Sequence, residues 1–200
     1  TSRSIISCVA LGNGFYTIDG DEPMRQNRPI ADLLDALQRL GIDARSRHDN
    51  GCLPVDVRAQ GFAGGDTELD ASKSSQFLTS LMLTGPCTEK GLVIEMAGDF
   101  KTQYIDITMA VMRAFGAEVT HDNYRRFCIP GGQCYKGCDY AIEPDASNAS
   151  YFFAAAALTG GRVRVNGINA DSAQGDIRFV NVLEKMGCTV NRAIDGIEVV

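Results

Sequence analysis

Hydrophobic and polar positions along the chain form a pattern that comes round three times. Segments 4–12, 75–85 and 150–160 are largely apolar, open on serine and close on glycine. Each reads as a helix, and the closing glycines stand 73 and 75 residues apart. A strand-like stretch follows each one, at Tyr16-Thr17-Ile18 and at segments 92–97 and 162–166. A second helix is predicted next in every copy, over residues 29–41, 105–116 and 176–187. In the first of these, Ile30, Leu33, Leu34, Leu37 and Leu40 keep the spacing of one buried helix face. Met109, Met112 and Phe115 do the same in the second, and Phe179, Leu183 and Met186 in the third. Each of these helices stops at a glycine, which suits the left-handed position after a helix. Glu118-Val119-Thr120 and Cys188-Thr189-Val190 then read as strands. The copies close on Val55-Asp56-Val57, Phe127-Cys128-Ile129 and Ile197-Glu198-Val199.

The unit is therefore helix–strand–helix–strand–strand, with a period of about 73 residues, too long for a common solenoid repeat. Stacked α/β units that share a core are expected. The chain reads as starting inside a first copy and ending at the close of a third, as a fragment of a longer protein would. Two stretches interrupt the pattern. Residues 61–73 are turn-rich and lead into the second copy. Residues 131–147 lead into the third and are the better linker, since Glu143-Pro144-Asp145 is turn chemistry.

Composition narrows the function classes. The chain has 200 residues, 44% of them hydrophobic and 22% charged, which is globular composition. Its 19 Lys and Arg against 25 Asp and Glu give a net charge of −6, which argues against nonspecific nucleic-acid binding. A small anionic ligand stays open, because a few local cations suffice for it. No apolar run reaches the roughly 18 residues of a membrane span. Thr1 is not preceded by a charged, apolar leader, so no targeting peptide is expected and the cytoplasm is the expected compartment. The seven cysteines are odd in number and mostly scattered, which reads as free thiols in a reducing compartment. Cys128, Cys134 and Cys138, with His121 upstream, lack the tight pair of a zinc site, so no metal is expected.

The candidate chemistry sits at helix entrances. Ser74-Ser75-Gln76 opens an apolar helix, where backbone N–H groups, hydroxyls and an amide could bind an anion, with Lys73 adding a cation. A plain helix cap is the alternative. Arg28 precedes Pro29 at another predicted helix start, a costly place for a guanidinium unless an anion lies between. A solvated surface arginine is the alternative there, and Arg25 could share the role. Thr102-Gln103-Tyr104 precedes a third helix, and the Tyr104 ring could lie on a flat or cyclic ligand or simply rim the core. Arg3, between Ser2 and Ser4, could also meet an anion. In stacked α/β units, helix entrances of one type gather on one side, which is what joins these groups into one hypothesis. Asp145-Ala146-Ser147-Asn148 opens the third-copy helix with the wrong sign for an anion, so capping is expected there. Gly12-Asn13-Gly14 is too sparse for a phosphate cradle, and no dinucleotide or P-loop motif occurs. With only His48 and His121, in polar contexts, a Ser-His-Asp triad has little support.

Several stretches, taken in order, resemble one family. They are Glu22-Pro23 with Arg28-Pro29-Ile30, Ser74-Ser75-Gln76-Phe77-Leu78-Thr79, Tyr104-Ile105-Asp106-Ile107-Thr108 and Asp145-Ala146-Ser147-Asn148-Ala149-Ser150-Tyr151-Phe152. Gln174-Gly175-Asp176-Ile177 and Val182-Leu183-Glu184-Lys185-Met186-Gly187 complete the set. They look like 5-enolpyruvylshikimate-3-phosphate synthases of the bacterial, glyphosate-sensitive type, and the resemblance runs the length of the chain. It implies an α/β enolpyruvyl-transferase fold of βαβαββ-like units in two globular domains, each built from three such units. Residues 1–145 would form most of one substrate-binding domain, and residues 146–200 one unit of the second.

The implied reaction moves the enolpyruvyl group of phosphoenolpyruvate onto the 5-hydroxyl of shikimate 3-phosphate and releases phosphate, with no metal and no cofactor. Ser74, Ser75, Gln76, Thr102 and Tyr104 would contact shikimate 3-phosphate. Arg28 and Gln76 would contact phosphoenolpyruvate, with glyphosate as an inhibitor at Arg28. Lys73 and Gln103 depart from the family's usual residues, the Met24-Arg25 order is swapped, and the chain is one residue short before Tyr104. The family's acid–base residues would lie outside this chain, so no catalytic residue is assigned and the chain alone is expected not to turn over. No nucleic-acid or membrane partner is implied, and full-length relatives would be monomers. The related UDP-N-acetylglucosamine enolpyruvyl transferases, and a non-catalytic binding or scaffold module, are the alternatives.

Overall fold

The fold is described from a computed structural model covering residues 1–168, 170 and 172–200. It separates into two compact units, Thr1–Cys138 and Asp139–Val200. The first copy of the repeat holds helix α1 (Ser2–Val9), strand β1 (Asn13–Ile18), the short helix α2 (Glu22–Gln26), α3 (Ala31–Arg39), β2 (Asp43–Ser46) and β3 (Val55–Gln60). The second holds β4 (Gly65–Asp70), α4 (Gln76–Thr84), β5 (Leu92–Ala97), α5 (Gln103–Ala114), β6 (Thr120–Asp122) and β7 (Arg126–Ile129). The third, alone in the second unit, holds α6 (Ala146–Thr159), β8 (Val163–Asn166), α7 (Phe179–Lys185), β9 (Val190–Ala193) and β10 (Gly196–Val199).

The three sheets repeat one topology. Their orders are β1-β3-β2, β5-β7-β6 and β8-β10-β9, each with the last strand in the middle and antiparallel to both neighbours. The second copy adds β4 at its edge, parallel to β5, with α4 as the crossover between them. That copy alone shows the whole βαβαββ unit among the described residues.

The pattern fails locally where side chains outside the period decide. Residues 61–73, expected as turns, contain β4, in which only Thr67 and Leu69 face inward. The acidic Asp66, Glu68 and Asp70 between them hide the strand's alternation. Pro29 lies outside α3, whose N-cap is Ile30, so Arg28 does not sit on a first helical turn. The helix α2 was not anticipated; Asp21 caps it by accepting from the Met24 amide. The predicted helix 176–187 is a 3-10 turn, Gly175–Arg178, that runs on into α7.

One apolar core spans both copies of the first unit. The face of α3 predicted from its spacing is buried through Leu33, Leu34 and Leu37. The centre of this core is α4, with Phe77, Leu78, Leu81 and Met82 all buried. Against it packs α1, where the buried Ser7 and Ser80 hydroxyls meet at 2.7 Å. Ser80 also donates to the Arg3 carbonyl at 2.7 Å, so Ser7 is the donor between the pair. The second unit has its own core, around Phe153, Ile168, Leu183 and Ile197.

Candidate functional site

The entrances of α3, α4 and α5 open on one cleft of about 700 Å³ in the first unit. Its lining includes Arg3, Arg28, Lys73, residues 74–76, Lys101 and Tyr104. Those residues come from four separate stretches of sequence, and the packing of α1 and α5 on α4 brings them together.

The chemistry at the α4 entrance differs from a simple cap. Ser75 occupies the N-cap position, but its hydroxyl makes no capping bond. Ser74 is the one that folds back, accepting from the Gln76 amide at 3.3 Å, and the Phe77 amide bonds the Ser74 carbonyl. Two first-turn N–H groups are therefore already served. What remains for an anion is side-chain chemistry: the Ser74 and Ser75 hydroxyls and the Gln76 amide.

Arg3 is the central cation. Its Nη1 donates to Ser74 Oγ at 3.0 Å and to Gln76 Oε1 at 3.1 Å, and its Nη2 donates to the Pro29 carbonyl at 3.1 Å. The guanidinium lies over the Phe77 ring, 5.1 Å from its centroid. Burial, followed by repulsion from Arg28, lowers the Arg3 pKa from its ordinary value. An anion seated between two guanidinium groups relieves that repulsion, which is the electrostatic case for a ligand here. Arg28 is exposed and makes no ion pair among the described residues, and the same is true of Lys101.

Other predicted cations are spent on the protein itself. Lys73 lines the cleft but is held by Asp32 at 3.0 and 3.2 Å, which raises its pKa and ties α3 to the α4 entrance. Arg25 is absent from the lining: it grips Asp19 at 2.6 and 2.8 Å from the outside of α2. Thr102 caps α5 by position without a side-chain bond, and it does not line the cleft; its neighbour Lys101 does.

Tyr104 stands half-exposed at the rim, and its backbone is fixed from below. Thr108 donates to the Tyr104 carbonyl at 2.9 Å and accepts from Thr79 of α4 at 3.1 Å. The ring is thus a platform held by the α4–α5 contact. Lys101 and the bridging part played by Arg3 were missed from sequence. Arg3 pairs with residues 71 and 73 positions away, which only the fold reveals.

A stack of α/β units that gathers cations, hydroxyls and an amide at its helix entrances defines a protein with a cleft for a small anionic ligand. The whole chain, residues 1–200, matches the family described as EPSP synthase (3-phosphoshikimate 1-carboxyvinyltransferase), and it belongs to that family. It is 46% identical over 200 residues to a 3-phosphoshikimate 1-carboxyvinyltransferase of a Nostoc species, covering 100% of this chain and 47% of that protein. The Serratia proteamaculans enzyme of the same name is 46% identical over 198 residues, covering 98% and 46%. The chain spans about half the length of these curated relatives. Among solved structures, EPSP synthase from Acinetobacter baumannii is similar with a TM-score of 0.77 at 21% identity, over 98% of this chain and 45% of that one. The enolpyruvyl transferase NikO from Streptomyces tendae gives 0.71 at 20% identity with the same coverage. Both likenesses concern the fold, which is the enolpyruvyl-transferase fold.

Proposed function

We propose that this chain supplies the shikimate 3-phosphate site and part of the phosphoenolpyruvate site of an EPSP synthase. The whole enzyme's reaction is transfer of the enolpyruvyl group of phosphoenolpyruvate to the 5-hydroxyl of shikimate 3-phosphate, with release of phosphate. The observation that carries this is the convergence of Arg28, residues 74–76 and Tyr104 on one cleft next to the partly buried Arg3 guanidinium. Ser74, Ser75 and Gln76 bind the phosphorylated substrate, and Tyr104 packs on its ring. Lys101 fills the cleft position expected for Thr102. Arg28, with no partner of its own among the described residues, holds the carboxylate or phosphate of phosphoenolpyruvate, and glyphosate competes there. Residues 1–145 belong to one domain and residues 146–200 to the next, in a monomeric cytoplasmic enzyme.

Among the described residues, no Asp, Glu or His lines the cleft. The chain by itself therefore binds without turning over. Acceleration needs groups that meet charge developing in the transition state, beyond those that hold the ground state. Calorimetric titration of the chain with shikimate 3-phosphate tests the reading. Saturable heat that is lost in Ser75→Ala and kept in Arg28→Ala supports both assignments. A folded chain that gives no heat overturns them and leaves a scaffold module.

A further inference from the structure

We infer that Arg3 is a positioning residue, one that turns Ser74 and Gln76 into hydrogen-bond donors toward the cleft and so selects for an acceptor-only, anionic group. The inference rests on the cleft being the ligand site, and it goes beyond that by assigning how the cleft sets its sign.

A serine hydroxyl offers one donor and two acceptor lone pairs. Ser74 Oγ accepts from Arg3 Nη1 and from the Gln76 amide, so both lone pairs are taken. Its single hydrogen is left to point elsewhere, and the cleft is what Ser74 lines. A glutamine amide has one acceptor end and one donor end. Arginine can only donate, so the end of Gln76 facing Arg3 has to be the oxygen. The Nε2 end is thereby turned away from Arg3, with two hydrogens to offer. Without Arg3, either group could rotate and present an acceptor, which repels an anion.

Arg3 is built to hold this arrangement. Its backbone carbonyl is pinned to α4 by Ser80, its guanidinium rests on Phe77, and its Nη2 ties down the Pro29 carbonyl beside Arg28. One side chain thus connects the entrances of α3 and α4. Its Nε is buried without a partner, the sign of a group placed for what its other nitrogens do. Lysine cannot replace it, since a point charge lacks the planar fork that reaches three acceptors at once.

The test is a double-mutant cycle on shikimate 3-phosphate affinity in the folded chain, using Arg3→Met, Ser74→Ala and both together. Arg3→Met should weaken binding roughly tenfold or more, the usual scale for unsettled polar partners. The double variant should bind about as weakly as Arg3→Met alone, because Arg3 acts through Ser74, whose hydroxyl is no longer directed once Arg3 is gone. Arg3→Lys should stay weak despite its charge. Losses that multiply, or an Arg3→Lys chain that binds like the parent, overturn the inference. A second measurement needs no ligand. The Arg3 Nη1 protons should show hindered rotation by NMR in the parent chain and free rotation once Ser74→Ala and Gln76→Leu remove the two acceptors of Nη1. Free rotation in the parent overturns the positioning role. Hindered rotation in a parent that ignores shikimate 3-phosphate supports the role and overturns the substrate assignment instead.

Discussion

Helices α4 and α6 occupy the same place in the repeat, share its closing glycine, and end up in opposite situations. At its entrance, α6 carries Asp145, whose carboxylate accepts from the Ser147 and Asn148 amides at 2.8 and 3.3 Å. The positive end of that helix is satisfied from within. The α4 entrance has no acidic residue in its first turn, an uncapped Ser75 hydroxyl and Arg3, Arg28 and Lys101 around it. Along their lengths the contrast continues. α4 is enclosed by the first unit's core, whereas α6 leaves Tyr151, Phe152 and Leu158 at 74%, 60% and 87% exposure. One scaffold position therefore gives an entrance left open among cations or a helix start closed by its own carboxylate, depending on whether its own sequence supplies the anion.

The largest expected effect probes burial. Phe77→Ala should cost the first unit about 3–5 kcal/mol, the usual loss for a fully buried ring. Phe152→Ala should cost the second unit about 0.5 kcal/mol or less, as at other exposed sites. Native-state hydrogen exchange reads the two units separately. Similar losses in both would break the contrast. A subtler version uses the helix–helix contact. Ser80→Leu forces bulk between α1 and α4 and orphans the Ser7 hydroxyl, at about 2–4 kcal/mol. Ala155, the residue as far from Gly160 as Ser80 is from Gly85, is exposed, so Ala155→Leu should change stability by no more than about 0.5 kcal/mol.

The entrances should separate stability from binding. Asp145→Ala removes a real cap and should cost α6 about 1 kcal/mol. Ser75→Ala removes no capping bond and should leave unfolding within about 0.5 kcal/mol while abolishing the heat of ligand binding. A Ser75→Ala chain that melts early and still binds would show that the serine is structural after all.

Sequence patterning reached the repeat because the repeat is written in local rules. Gly116 and Gly187 adopt the positive φ values of 79° and 105° that were expected after their helices. The apolar stripe of α3 needs only its own spacing to be read. By contrast, β4 depends on its neighbour: its single buried apolar side chain, Leu69, gains meaning only once β5 lies beside it in parallel register. The site divides along the same line. Helix entrances mark Arg28, Ser74, Ser75, Gln76 and Tyr104 in the sequence. Nothing local shows that Lys73 is neutralised by Asp32 or that Arg25 is turned away onto Asp19, since those pairings depend on where α2 and α3 lie. The sequence marks Arg3 as a group that could meet an anion but hides its bridging, because each of its partners is far along the chain.

The smallest expected effect compares one charged pair from each unit. In the first, Arg47 and then Thr17 hold Asp56 below the ordinary carboxylate range, through bonds of 2.6, 3.0 and 2.8 Å. In the second, Arg192 does the same for Glu184, at 2.9 and 3.1 Å. A carboxyl with a depressed folded-state pKa stabilises the fold above its unfolded value, near 4, and that contribution fades as pH falls through the folded value. Asp56→Asn should therefore flatten part of the first unit's loss of stability below about pH 4, and Glu184→Gln part of the second's. The Asp56 effect should be the larger, because its side chain is 25% exposed against 49% for Glu184 and it has a second donor in Thr17. Both should shrink in about 1 M salt, where screening acts over about 3 Å. Acid titrations of the variants that overlay the parent curve would remove these pairs from the account of either unit's stability.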